Sequence, residues 1–367
     1  MTYNAVKICG VARPNPSISL NLLPNWLNMT NRSNPPKSIK PAIKSSAQTP
    51  SQTPGKRPSV RFVQIDEDQA GQRIDNFLLT LLKGVPKSKI YQIVRKGEVR
   101  VNKGRIKVHY KIQAGDEVRI PPVRVAQRDE VIVSKAVIRL MLDSIIYEDD
   151  DFLALNKPSG IAVHGGSGVK VGIIESLRKA KPDSKFLELV HRLDKNTSGC
   201  LLIAKKRSAL RFLQDRFRQH KVNKKYLALV KGNVKNKSYH VELALLKSTL
   251  PSGERIVRVN KEGKHAVSDF NVIASSKLAS LYEVDIKTGR THQIRVHAKS
   301  LGHPVAGDEK YGDDEFNHHM KSYGLKRMFL HAEKLTLKTP QGKTLHLVAP
   351  IDNELQTILT NLDIKRS

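Results

Sequence analysis

Cysteine is nearly absent from this 367-residue chain, which carries only Cys9 and Cys200. A disulfide framework and a four-cysteine zinc site are excluded. Aromatic residues are scarce at 5%, so each well-placed ring matters more. No stretch approaches 18 uncharged apolar residues, which excludes a membrane-spanning helix. Acids are outnumbered, 34 against 64 Lys and Arg, for a formal charge of +30. That imbalance excludes an acidic solvating protein and favours a polyanionic partner, nucleic acid before membrane. The Gly-rich signatures of a Rossmann unit or a P-loop are missing, so no nucleotide cofactor is expected. What remains is 39% apolar, enough for a core in a chain whose length suggests two to three domains.

Residues 1–58 contain no Asp or Glu, and Pro, Ser, Asn, Thr and Lys dominate from Asn31 to Pro58. Such a segment buries too little apolar surface to offset its ordering entropy, and reads as a disordered basic tail. Three origins compete: an RNA-brushing tail, a start at Met29, and a mitochondrial transit peptide, thinly supplied with Arg13, Arg32 and Arg57. Residues 70–122 form a small module. Ile74, Phe77, Leu78, Leu81 and Leu82 mark one face of a helix stopped by Gly84 and Pro86. A second helix follows with Ser88 as its expected N-cap and Gly97 as its end. Strands are expected at Glu98–Val101 and Asp116–Ile120, with a turn at Asn102–Gly104. From Lys83 to Arg124 there are 12 Lys and Arg against three acids, a one-signed face suited to phosphates. Residues 123–139 read as a linker. From 140 to 362 strands mix with short helices without regular βαβ alternation, which predicts an α+β domain with a largely antiparallel sheet.

Three segments in this region have chemical potential. His191–Gly199 is a polar loop feeding the apolar run Cys200–Ala204. Its Asp194 lies between Arg192 and Lys195, and cations nearby favour a charged carboxylate. Asp194 either stands at a cleft rim or caps its own turn through an Asp-x-x-Thr bond. Thr288–His297 alternates like a strand, with Gln293, Arg295 and His297 on one face and His292, Ile294 and Val296 on the other. A buried Arg295 would need a carboxylate partner. His292 and His297, on opposite faces, make no metal pair. Tyr226, in a short strand to Val230, is either a core ring or a stacking platform. Asn156–Gly160 and Ala306–Gly312 show only tight loops, and Glu148–Asp151 reads as a solvated turn.

The pattern His191-Arg192-Leu193-Asp194-x-x-Thr197-Ser198-Gly199 resembles the signature of the RluA-type pseudouridine synthases. Asn156-Lys157-Pro158-x-Gly160 upstream and Gly289–His297 downstream agree in order and spacing, with Lys225-Tyr226 between. Gln72–Asp75 and Lys96–Asn102 resemble an S4-type RNA-binding domain. The likeness covers about 65 to 362 and is greatest to members acting on large-subunit ribosomal RNA. It implies isomerisation of uridines in 23S ribosomal RNA or its precursor by a cytoplasmic monomer without cofactor or metal. The runners-up are a non-catalytic ribosome-assembly factor, and the same chemistry on transfer or messenger RNA. It implies further that Asp194 is the essential carboxylate, Arg295 its cation and bidentate orienter, and Tyr226 a catalytic ring that stacks on the uracil and helps remove the C5 proton. Arg192 would fill the gap left by a flipped uridine or hold its phosphate. Arg73, Lys87, Lys89, Arg95, Lys96, Arg100 and Lys103 are the expected phosphate contacts of the S4-like module.

Overall fold

The computed structural model describes residues 59–366 apart from 68, 83, 124–132, 167–170 and 252. The expected tail, 1–58, and most of the expected linker lie outside the described residues. The first unit consists of β1 (Arg61–Gln64), α1 (Ile74–Leu81), α2 (Lys87–Arg95), β2 (Arg100–Val101), β3 (Gly104–Arg105) and β4 (Glu117–Ile120). Its four-stranded antiparallel sheet runs β1-β4-β2-β3. Ile74 and Leu78 of α1 meet Ile90 and Ile93 of α2 and Val118 and Ile120 of β4 in one core. Each such buried aliphatic side chain contributes about 1.5–3 kcal/mol. Two local expectations change. Helix α2 starts from Pro86 as N-cap (φ −57°), with Ser88 exposed inside the first turn; proline's fixed φ sets the boundary two residues earlier than the serine does. The strand expected at Glu98–Val101 narrows to two residues, because Asn102 and Lys103, both left-handed, turn the chain at once into β3.

The second unit begins within the expected linker, where Ser134 caps α3 (Lys135–Asp143) by accepting from the Val137 N–H. It continues through β5 (Ile145–Glu148), β6 (Phe152–Lys157), α4 (Ile173–Ala180), β7 (Glu188–Leu189), β8 (Ser198–Ala204), α5 (Arg207–Arg218) and β9 (Asn223–Lys231). Then come β10 (Ser238–Thr249), β11 (Arg255–Val259), β12 (Lys264–Ser275), β13 (Ala279–Ile286) and α6 (Gln293–Ser300). The chain closes with α7 (Asp314–Ser322), β14 (Leu330–Lys338), β15 (Thr344–Val348) and α8 (Asn353–Asn361). Among the described residues an 11-stranded sheet runs β11-β10-β12-β13-β9-β14-β8-β6-β5, with β15 on β14 and β7 on β8. Every pairing is antiparallel except β8 with β14. The fold is therefore α+β with a mostly antiparallel sheet, as the sequence implies.

The parallel seam positions the site. Strand β8 is buried along its whole length, and Gly199 lies beside Ala332 of β14, which lies beside Tyr226 of β9. Gly199 has φ +107°, and a Cβ there would stand 2.3 Å from the Ala332 carbonyl oxygen. No other residue fits where β8 leaves the His191–Thr197 loop. That segment is a loop, as its polar residues suggest. The strand expected over Thr288–His297 does not form. Strand β13 stops at Ile286, and Gln293–Ser300 is helical. No described helix is long and apolar enough to cross a membrane.

Candidate active site

Two clamps hold the loop that carries Asp194. At its start, His191 stacks on Phe217 with centroids 4.7 Å apart and accepts the Leu202 N–H at Nε2. Burial pulls this imidazole down to about 3, so it stays neutral and able to accept. At its end stands Lys157, fully buried, whose ammonium donates to the carbonyls of Pro158 (2.7 Å), Lys195 (3.0 Å) and Thr197 (2.8 Å). All three of its N–H bonds are used. The Gly160 N–H and the Ser159 hydroxyl add bonds to the carbonyls of Lys195 and Asn196. The turn closes through the Asp194 carbonyl, which accepts from the Thr197 N–H. The side chain is thereby released from the turn-capping bond that Asp-x-x-Thr suggests.

Asp194 projects into a cleft of about 750 Å³. Its Oδ2 lies 3.8 Å from Arg295 Nη1 and 3.9 Å from His292 Nε2. These two partners share a face because Thr288–His297 is a loop and a helix, not a strand. His292 is the left-handed N-cap of α6 and Arg295 lies three residues on. The switch to helix is enforced by a buried network: Gln293 accepts from the Thr288 hydroxyl and the Arg290 N–H, and donates to the Val267 carbonyl and the Ser268 hydroxyl.

Arg295 does not clasp Asp194 bidentately. Its Nε and Nη2 are taken by Asp308 at 2.6 and 2.7 Å, with only Nη1 left toward Asp194. Asp308 is buried to 1% side-chain exposure. Burial would raise its carboxyl, but the Arg295 bond and charge, with the N–H groups of Tyr311 and Lys310, hold it below the usual carboxylate range. Asp308 therefore neutralises the buried guanidinium, and Asp194 accepts no side-chain hydrogen bond among the described residues. Tyr311 backs both groups: its ring lies 4.8 Å from the Arg295 guanidinium and its hydroxyl 2.8 Å from His292 Nδ1.

Arg192 is exposed on the cleft wall, with Lys247, Arg255, Arg290 and Lys310. Tyr226 is half-buried on β9, close enough to Asp194 for its charge to count, and does not line the cleft. Burial first, then the Asp194 charge, raise its hydroxyl above the ordinary tyrosine value. That makes the phenol a poorer base than an exposed one. On the first unit Lys87, Lys89, Arg95, Lys96, Arg100 and Lys103 are all exposed. Lys87 and Arg95 flank the Tyr91 ring at 5.3 and 5.9 Å. Arg73, though exposed, is paired with Asp75 at 3.0 and 2.8 Å.

The family described as RNA pseudouridylate synthase matches residues 151–300, and that of the S4 domain matches 72–118. Over 307 residues the chain is 56% identical to ribosomal large subunit pseudouridine synthase C of Salmonella typhimurium, across 82% of this chain and 96% of that one. The chain belongs to the RNA pseudouridylate synthase family. This synthase is also 55% identical to ribosomal large subunit pseudouridine synthase C of Escherichia coli strain K12, across 83% and 97% of the two chains. Two solved structures share its fold. Human RNA pseudouridylate synthase domain containing 4 aligns at a TM-score of 0.53 and 26% identity, over 62% of this chain and 96% of that one. Human RNA pseudouridylate synthase domain containing 1 aligns at 0.50 and 27%, over 59% and 86%.

Sequence reasoning missed Lys157, Asp308, His292 and Tyr311 in this synthase. Asn156–Gly160 and Ala306–Gly312, read as tight loops, supply the loop clamp and the counter-ion. One signal was present for Lys157: it shares strand parity with Leu153 and Leu155, both in the core. The acidic run Glu148–Asp151 is tied into pairs, Glu148 with Lys181 and Lys205 and Asp151 with Lys206.

Proposed function

We propose that this synthase converts uridines of 23S ribosomal RNA, or its large-subunit precursor, into pseudouridine, and works as a cytoplasmic monomer. The reaction breaks the C1′–N1 bond, turns the uracil and joins C1′ to C5, while the C5 proton leaves and N1 gains one. Bonds move within one nucleotide with no net redox change, so the chemistry calls for no electron carrier. The observation that carries the reading is Asp194, held by its loop at the cleft wall with an unbonded carboxylate beside a guanidinium that Asp308 already neutralises. Attack on C1′ or C6, or removal of a sugar proton, needs that same free oxygen. The glycosidic carbon is inaccessible in stacked RNA, so the uridine must flip out at a cost of a few kcal/mol. Arg192 fills the gap from the cleft wall, and Tyr226 packs behind the reacting carboxylate, where its ring meets a base that enters past Asp194. The exposed cations of the first unit add phosphate affinity without reading sequence.

Pseudouridine mapping of total RNA from cells lacking the protein is expected to show missing sites in large-subunit ribosomal RNA. Sites missing from transfer or messenger RNA instead would move the substrate. Purified Asp194→Asn should form product at least about 10⁴-fold more slowly than wild type, about 5.5 kcal/mol of transition-state stabilisation, while binding RNA comparably. Equal product from both proteins would remove Asp194 as the catalytic carboxylate.

A further inference from the structure

His292 has no part in the proposed reaction so far, yet its surroundings fix it closely. Its Nδ1 lies 2.8 Å from the Tyr311 hydroxyl, and that hydroxyl accepts the Val257 N–H, also at 2.8 Å. Tyr311 is buried, and no other acceptor among the described residues takes the phenolic proton. A phenol has one proton to give, and a buried O–H left unpaired is costly. The proton therefore goes to His292 Nδ1, which must be the bare nitrogen. Burial pulls the imidazole below its ordinary pKa, the Arg295 and Lys310 charges push the same way, and the Asp194 and Asp308 charges oppose them. The ring is neutral at neutral pH, so its single proton sits on Nε2. This N–H looks across 3.9 Å at Asp194 Oδ2, too far for a direct bond.

A gap of that width, with a donor on one side and an acceptor on the other, fits one oxygen about 2.8 Å from each. That oxygen must accept from the imidazole and donate to the carboxylate, as a water or a hydroxyl does, and once a flipped nucleotide displaces water from the cleft the substrate's own hydroxyl takes the place. With Asp194 acting beside C1′, the nearest hydroxyl of a flipped uridine is the 2′-OH, both donor and acceptor and the mark of RNA against DNA. We propose that His292, locked as the Nε2–H tautomer through the chain from Val257 by way of Tyr311, is a catalytic residue that donates to the ribose 2′-OH of the target uridine and makes the enzyme selective for a ribonucleotide there. This rests on the reading of Asp194 as the reacting carboxylate.

The test uses an RNA fragment containing a uridine found in the mapping, made with either uridine or 2′-deoxyuridine at that one position. Wild type should convert the deoxy form about ten- to a hundredfold more slowly, the cost of leaving one buried polar pair unmet. His292→Leu should lose part of that factor on the all-ribose RNA and discriminate between the two clearly less than wild type, because the losses share the imidazole–hydroxyl bond. His292→Gln, which keeps an N–H near the Nε2 position, should recover most of the discrimination. If the two losses multiply, or the Gln variant behaves as Leu, the 2′-OH assignment fails. If wild type converts neither RNA, the reading of Asp194 fails first. A measurement independent of any variant's folding is the nitrogen NMR signature of His292 in the wild-type chain. Protonation on Nε2 alone is expected at neutral pH, and a proton on Nδ1 would overturn the proposal.

Discussion

In the first unit the cations stand outward. Lys87, Lys89, Arg95, Lys96, Arg100 and Lys103 are exposed, and none is paired with a carboxylate among the described residues. In the cleft the central cation is turned inward: Arg295 keeps 9% side-chain exposure and gives two of its nitrogens to a carboxylate buried deeper still. The first arrangement adds affinity in small, interchangeable amounts that salt screens. The second makes a few groups indispensable, since removing one leaves another charge buried without a partner. RNA binding and RNA chemistry are thus separated in this chain by how deeply charge is placed, more than by how much of it there is.

The contrast breaks first at Asp308. Asp308→Ala strands the Arg295 guanidinium, and the expected result is a loss of about 3–5 kcal/mol in stability. The freed guanidinium closes on Asp194, and turnover should fall about 10²–10³-fold with RNA affinity changed by less than about threefold. Thermal unfolding, single-turnover product formation and filter binding measure the three. Turnover near wild type would show that the buried pair does not govern Asp194.

A second test exploits burial of a different kind. His297 is fully buried, meets the Ser268 hydroxyl through Nδ1 and has no partner at Nε2 among the described residues. Burial holds it down to about 4. An unfolded histidine binds its proton near 6.5, so between about 6.5 and 4 the unfolded chain carries a proton that the folded chain refuses. Stability therefore falls as pH drops through that window, by on the order of 3 kcal/mol from this residue. His191, also held low, adds to the same slope. Urea midpoints at pH 7, 5.5 and 4.5 should decline steadily in wild type and less steeply in His297→Gln; parallel declines would remove His297 as a source. The smallest effect belongs to the first unit. Lys96→Ala should weaken RNA binding about two- to threefold, uniformly across sequences, and lower the salt slope by about one. A change confined to one RNA sequence would mean that this surface reads bases.

Much of the first unit was legible because its signals are local. Helical spacing from Ile74 to Leu82 and the glycine at 97 mark elements whose core lies between Ile65 and Ile120. Only the start of α2 slipped, since Ser88 is a good capping residue and Pro86 fixes the backbone before it. The second unit was legible as a class and in its signature loop. Its geometry was not, because Ile294 and Val296 alternate with polar residues as a strand does, while the Gln293 network pulls the same segment into a helix. Tertiary context overrode the local pattern there. The counter-ion was hidden for a related reason. Asp308 meets Arg295 across 13 residues of sequence, and Lys157 meets Thr197 across 40, so neither partnership shows in composition or periodicity.

The lone parallel junction, β8 on β14, has a bearing on how the protein comes to be active. Ser198 waits for His331, 133 positions later in the chain, both by strand register and through the bond between its hydroxyl and the imidazole. During synthesis the first unit can close while most of the polypeptide is still unmade, because its core lies between Ile65 and Ile120. The loop bearing Asp194 has its full support only once Leu330–Lys338 has emerged. A nascent chain of this protein therefore completes its first unit long before the Asp194 loop can be set.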